Sequence, residues 1–187
     1  QPGAAELPGG DDSLLALDAI GDGEEQINAD KLAPAAIDAF TVDGTLYAVP
    51  ANVATLQLYY NKALFDAAGL DGPPATVDEF REYAKQLTGD GVYGLSVGER
   101  ETIQMWPILQ WLDGADIVDD AGCSVLDSEA SIESLSTWAG LVKEQVMPVG
   151  LTGAESDSLF AAGQAATLLN GPWAAAGYLE AGIDLGV

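Results

Sequence analysis

Two spacings of apolar residues alternate along most of this chain, and each predicts its own kind of element. From Thr55 to Tyr60 the period is that of a strand, with Leu56, Leu58 and Tyr60 on one face and Thr55, Gln57 and Tyr59 on the other, so a half-exposed strand is expected. A short helix follows from about Asn61, burying Leu64, Phe65 and Ala68 and stopping at Gly69. Thr76-Val77-Asp78-Glu79 has the form of a capping box, and Phe80, Ala84 and Leu87 then give the buried stripe of the helix it opens. Val92 to Val97 reads as a strand, Gln104 to Leu112 as a helix broken or started near Pro107, and Ile117 to Leu126 as a β-hairpin turning at Asp119-Asp120-Ala121-Gly122. The longest periodic helix runs from about Ser128 to Val146, with Ile132, Leu135, Ala139, Val142 and Val146 as its core face. A shorter helix around Leu159-Phe160, a strand from Ala165 to Leu169 and a last helix begun at Asn170-Gly171-Pro172-Trp173 complete the series.

The first part of the chain is less patterned. Residues 1–10 are rich in Pro and Gly and read as loop. A short helix is expected near Pro34 to Phe40, then an Asp-Gly hairpin at Val42-Asp43-Gly44-Thr45 before a strand from Leu46 to Val49, which Pro50 ends. Strands alternating with helices predict an α/β domain, and the hairpin at 117–126 argues against an all-parallel sheet.

Charge narrows the function. Six Lys plus Arg stand against 30 Asp plus Glu, a formal net charge of −24, which repels nucleic-acid backbones and anionic lipid and so excludes nucleic-acid binding. Such acidity is more often a solvated surface than an acidic binding patch. With no histidine in the chain, Ser-His-Asp and Cys-His catalysis are excluded. The single cysteine, Cys123, can neither close an internal disulfide nor complete a Cys/His zinc set, and it reads as a half-buried strand residue. No signal-peptide pattern opens the chain, and the uncharged stretch from Ser158 to Leu179 is interrupted by Gln164, Asn170 and Gly171-Pro172, as in a soluble helix, strand and helix.

No glycine-rich dinucleotide or phosphate loop is present, so no cofactor and no metal site are expected. Paired carboxylates could hydrolyse glycosides, but among 30 acids chance pairs are inevitable. Trp173 follows a strand-ending turn, where α/β folds place ligand clefts, although position alone favours core packing. Trp106, Trp111 and Trp138 lie in helical patterns and read as core or partly covered surface.

Leu46-Tyr47-Ala48-Val49-Pro50, closing a Gly-x-x-Tyr-x-x-Pro run from Gly44, and Leu58-Tyr59-Tyr60-Asn61-Lys62-Ala63-Leu64-Phe65 together resemble the crossover of the family-1 extracellular solute-binding proteins of ABC transporters, the group that contains maltodextrin-binding protein. The resemblance continues in order through Pro73 to Phe80, Trp106-Pro107, the Asp119 to Gly122 hairpin, Phe160-Ala161-Ala162-Gly163 and Asn170-Gly171-Pro172-Trp173-Ala174.

The resemblance implies a type II periplasmic-binding-protein-like α/β fold, with residues 1–50 a partial first lobe and hinge crossover and 51–187 the second lobe, ending at a return crossover. It implies a central fragment of a monomeric, noncatalytic carbohydrate receptor that serves an ABC transporter permease outside the cytoplasm, in the periplasm or at the cell surface, where a lipid anchor is a further option. Trp106 and Trp173 match the family's cleft positions and would stack on a sugar ring, while Asn52, Glu101, Gln104 and Asn170 would bind hydroxyls, or Asn170 would cap its turn. Ala54 stands where maltodextrin-binding members carry an acid, which puts maltose in doubt. Two alternatives stay open: the same fold holding a peptide, polyamine or metal complex, and a glycosidase using two carboxylates.

Overall fold

A computed structural model describes residues 14–17, 27–102, 105–119 and 121–187. The chain divides into two compact units, Gln1–Ala54 and Thr55–Val187. In the first unit Pro34 opens a short helix, α1 (Pro34–Asp38), as its fixed φ suits a first helical position. The strands β1 (Thr41–Val42) and β2 (Thr45–Leu46) then pair antiparallel about Asp43-Gly44, whose φ values of 50° and 80° are those of a primed hairpin turn. The second strand is shorter than the expected Leu46–Val49, although past it the Tyr47 amide still donates across to the Phe40 carbonyl at 3.0 Å.

The second unit is an α/β sandwich on a mixed sheet of order β4-β5-β3-β6. Its strands are β3 (Gln57–Asn61), β4 (Tyr93–Ser96), β5 (Ala165–Asn170) and β6 (Leu185–Gly186). β4 and β5 are parallel, while β3 runs antiparallel to both its neighbours, β5 and β6. It is therefore β3, and not the 117–126 segment, that makes the sheet mixed. Among the described residues that segment closes one antiparallel bridge, Val118 to Ser124, outside the sheet, and Cys123 on it is exposed rather than half-buried.

Helices cover both faces. Leu58 and Leu169 lie opposite one another and pack toward Phe80 and Ala84 of α3 (Val77–Gln86), Ile108 of α4 (Pro107–Leu112) and Leu141 of α5 (Glu129–Lys143). Tyr60 packs with Phe65 of α2 (Lys62–Ala68) and with Leu70 and Leu87. On the other face the Tyr59–Leu168 pair meets Phe160 of α6 (Gly153–Ala161) and Tyr178 of α7 (Ala175–Glu180). Covered on both faces, Tyr59, Tyr60 and Asn61 are all buried, so β3 is not the half-exposed strand its alternation suggests.

Two helix details also depart from the sequence pattern. At α3 the Thr76 hydroxyl accepts from the Glu79 amide, but the Glu79 carboxylate reaches back to the Ala75 amide rather than to that of Thr76. The reciprocal box is instead at α6, between Thr152 and Glu155. In α5 the buried positions are Ser131, Ser134, Thr137 and Leu141, whereas Ile132 and Leu135 are 56% and 38% exposed. Among the described residues no helix is long and apolar enough to cross a membrane.

Candidate functional site

The parallel pairing of β4 with β5 points both carboxyl ends at one edge of the sheet, and the antiparallel β3 brings its amino end, Gln57, opposite Asn170 at that same edge. Ligands of open α/β sheets bind beyond the carboxyl ends of parallel strands. The segment leaving β4 runs to Glu101 and Trp106, and the turn leaving β5 is Asn170-Gly171-Pro172-Trp173. The segment with Glu101 and Trp106 and the turn with Asn170 and Trp173 thus follow the carboxyl ends of two adjacent parallel strands.

Trp173 is exposed. It sits in a 3-10 turn (Pro172–Ala174) opened by Pro172, and 58% of its surface is free. Its six-membered ring lies on Gly171: a Cβ added there would stand 2.2 Å from Cη2 and Cζ3 of the indole. Only a residue without a side chain provides this seat, and the indole resting on it remains largely open to solvent. The core-packing expectation for Trp173 therefore does not hold.

Below this turn lies a closed hydrogen-bond network. The Asn170 amide donates to Asp157 Oδ1 (2.7 Å) and to the Tyr178 hydroxyl (3.0 Å), its carbonyl accepts from the Gly171 amide (2.8 Å), and the Tyr178 hydroxyl donates to Asp157 Oδ1 (2.5 Å). The Tyr59 hydroxyl has one proton for two acceptors, Gln57 Oε1 at 2.8 Å and the Gly171 carbonyl at 3.1 Å. Burial, and then the hydrogen bond to Asp157, hold Tyr178 protonated far above the usual tyrosine range, and burial also raises Tyr59. Both polar ends of Asn170 are thus engaged within the protein, which is the turn-holding of its two expected roles.

The other candidates are Trp106, Glu101, Gln104 and Asn52. Trp106 is half-buried in the residue before α4, with Pro107 as the first helical position. Glu101 is exposed and held at φ 54°, a left-handed conformation that costs a non-glycine residue strain and is found disproportionately at functional sites. The chain leading to it is braced on the start of α6: the amides of Glu99 and Arg100 both donate to the Leu151 carbonyl, at 2.8 and 3.0 Å, and the Glu99 carboxylate accepts from the Gly150 amide. Gln104 lies outside the described residues, and Asn52 is an exposed residue of the first unit. Asp157, Tyr178, Tyr59 and Gly171 were not expected from sequence. No local spacing links residues 157, 170 and 178, and only the packing of α6 and α7 on one face of the sheet joins them.

A groove of about 640 Å³ opens between α3, α4 and α5, lined by Leu58, Phe80, Ile108, Leu112, Thr137 and Leu169 among others. Trp173 does not line it. Among the described residues no group of three or more Cys, Asp or Glu side chains is placed to hold a metal.

Residues 7–187 match the family described as bacterial extracellular solute-binding protein. The chain is 26% identical to the galactooligosaccharide-binding protein of Bacillus subtilis over 166 residues, which are 82% of this chain and 38% of that one. It is 30% identical to the sn-glycerol-3-phosphate-binding periplasmic protein of Brucella abortus over 155 residues, 78% of this chain and 36% of that one. Among solved structures it is similar to an ABC substrate-binding protein of Listeria monocytogenes in complex with cycloalternan, with a TM-score of 0.74 and 26% identity over 87% of this chain and 44% of that one. The chain therefore spans less than half the length of these relatives, and it has the α/β fold of type II periplasmic-binding-protein-like sugar-binding proteins.

Proposed function

This chain belongs to the bacterial extracellular solute-binding proteins, and we propose that the whole protein is a noncatalytic carbohydrate receptor that delivers a sugar to an ABC transporter permease. The observation that carries this reading is the exposed Trp173 indole, seated on Gly171 at the carboxyl edge of the sheet. A pyranose ring offers an apolar C–H face that stacks on an aromatic surface, and hydroxyls that need aimed donors and acceptors. Trp173 supplies the first, with Trp106 as a second aromatic surface, and Glu101 and Gln104 supply the second.

In this reading residues 1–50 are the remnant of a first lobe with its crossover and residues 51–187 are lobe two, so the cleft is completed only in the full-length protein. The receptor acts as a monomer outside the cytoplasm. Ligand draws the lobes together, and the permease recognises the closed form.

A phosphate ester is the rival that the glycerol-phosphate relative suggests. The formal charge of −24 opposes it, and so do the carboxylates Glu99, Glu101 and Asp157 on or behind the sheet edge. The test is a thermal-shift and calorimetry panel on the full-length protein with maltotriose, a galactooligosaccharide, an α-glucan ring and glycerol 3-phosphate. A shift with a sugar that Trp173→Ala abolishes is expected, with no product formed. No shift with any sugar, or undiminished binding by Trp173→Ala, overturns the reading.

A further inference from the structure

We propose that Asp157 is a positioning residue for this site: from α6 its carboxylate fixes Asn170, and through Asn170 and Gly171 it fixes the seat of the Trp173 indole. The proposal rests on the reading of Trp173 as the stacking surface and adds a residue that acts on the ligand only through others.

The geometry leaves the Asn170 side chain one orientation. Its two amide hydrogens meet two acceptors, Asp157 Oδ1 and the Tyr178 hydroxyl, and its carbonyl oxygen meets a donor, the Gly171 amide. A flipped amide would set N–H against N–H at Gly171 and oxygen against oxygen at Asp157. Asp157 Oδ1 accepts both the Tyr178 and the Asn170 hydrogens, so one carboxylate oxygen ties α7 and the β5 turn to α6. A bond to an ionised acceptor is roughly twice as strong as one between neutral groups.

Tyr178 cannot readily yield. It is 3% exposed and its ring makes edge contacts with Tyr59 at 5.5 Å and Phe160 at 4.9 Å. Gly171 is held at its amide by Asn170, and its carbonyl shares the one Tyr59 proton with Gln57 Oε1. The indole rests on the atom between those two groups, so any turn of the Gly171 backbone tilts the surface offered to the sugar.

The experiment uses the full-length protein labelled with 5-fluorotryptophan, the Trp173 resonance being assigned from Trp173→Phe. Asp157→Leu removes the acceptor while keeping the branching of the side chain, and Asp157→Asn restores a carbonyl oxygen to both donors. In the ligand-free protein Asp157→Leu is expected to shift or broaden the Trp173 resonance and to leave those of Trp106, Trp111 and Trp138 in place. It is also expected to weaken, roughly tenfold or more, binding of the panel sugar that gives the wild-type protein its largest thermal shift. Asp157→Asn should return both readouts toward wild type, and Tyr178→Phe, which removes one hydroxyl, should move the same resonance less. Should Asp157→Leu fail to fold, Tyr178→Phe decides.

An unmoved Trp173 resonance overturns the positioning role, as does a change in which all the indoles move together, the mark of general destabilisation. The stacking reading fails separately: if Trp173→Ala binds sugar as wild type does, that reading falls, while the ligand-free spectra still decide what Asp157 holds.

Discussion

Glycine at position 171 has no conformational requirement for its identity, since its φ of −89° is open to any residue. What excludes a side chain is the indole on top of it. The atoms a methyl group would meet belong to the far end of Trp173, which can swing away into solvent, so Gly171→Ala costs little stability and moves the stacking surface. The expected outcome is a melting temperature within a few degrees of wild type and a sugar affinity at least about tenfold weaker, read by thermal denaturation and calorimetry on the same sample. Equal losses in both would mean that Gly171 serves the fold instead. Glu155 allows a second measurement. Its carboxylate accepts from the Thr152 amide and hydroxyl, which holds it below its ordinary value of 4.5, with a smaller contribution from Arg100. A depressed folded-state pKa contributes stability that is present above the ordinary value and is lost as pH falls below it. Thermal unfolding between pH 6 and pH 3 should therefore show a shallower acid decline in Glu155→Gln than in wild type. Residue by residue, the proposed site was partly legible: the strand-ending Asn-Gly-Pro before it made Trp173 a candidate, although its position alone favoured core packing. It was not legible where the function of a side chain depends on a partner from another element: nothing near Asp157 distinguishes it from the other acids, and its role appears only when α6 and α7 are laid on the sheet.

At the scale of elements, α5 shows why periodicity can locate a helix and still misplace its buried face. Its large apolar side chains predict one face, but in the first turns Ile132 and Leu135 are exposed and the residues packed inward are the small hydroxyl-bearing Ser131, Ser134 and Thr137; only further on do Leu141 and Val142 join the core. Small side chains let α5 approach α4 closely, and a hydroxyl can satisfy itself on a backbone carbonyl, as Ser131 does on Asp116 or Val125. A count of large apolar residues does not register that option. The α4–α5 packing leaves Gln110 fully buried, with neither end of its amide bonded among the described residues, and Ser134 Oγ likewise. An unpaired buried amide costs about 1–3 kcal/mol, so Gln110→Met, similar in length and apolar, should hold or raise the melting temperature. A clear fall would show that the amide is satisfied, for example by an internal water. At α3 and β4 the contact runs through backbone. A Cβ on Gly94 would stand 2.0 Å from the Ala84 carbonyl oxygen, and main chain cannot swing aside. Gly94→Ala is expected to cost about 1–3 kcal/mol or more, a fall of roughly 3–10 °C on thermal denaturation. The elements themselves were well marked in the sequence, because caps and breakers such as Asn61, Gly69, Thr76 and Pro172 act within a few residues. The burial of β3 on both faces was not, because alternation in the strand cannot reveal a helical layer contributed by Phe160 and Tyr178, a hundred or more positions away.

For the molecule as a whole the governing quantity is charge. Thirty carboxylates against six cations leave −24, and the cations are largely spent locally. Lys62, Arg81, Lys85 and Arg100 stand within 2.8 to 4.0 Å of Asp184, Asp78, Glu144 and Glu155, all with partly or largely exposed side chains. Exposed pairs of this kind contribute about 0–1 kcal/mol each. Salt weakens them, but it also screens the repulsion among the many carboxylates without a counterion, and the Debye length falls from about 10 Å at 0.1 M to about 3 Å at 1 M. Since acids outnumber bases five to one, relief of repulsion outweighs the loss of a few pairs. The unfolded chain, being expanded, gains less from the same screening. The melting temperature should therefore rise, by roughly 3–6 °C between 20 mM and 1 M KCl for a change of about 1–2 kcal/mol. A flat or falling curve would mean that the ion pairs, and not the net charge, set the electrostatic stability. Sugar affinity provides the contrast within the same titration. A neutral polyol held by stacking and hydrogen bonds releases no counterions, so its dissociation constant should change little over this range, whereas a phosphate ester entering so acidic a protein would bind more tightly as salt screens the repulsion.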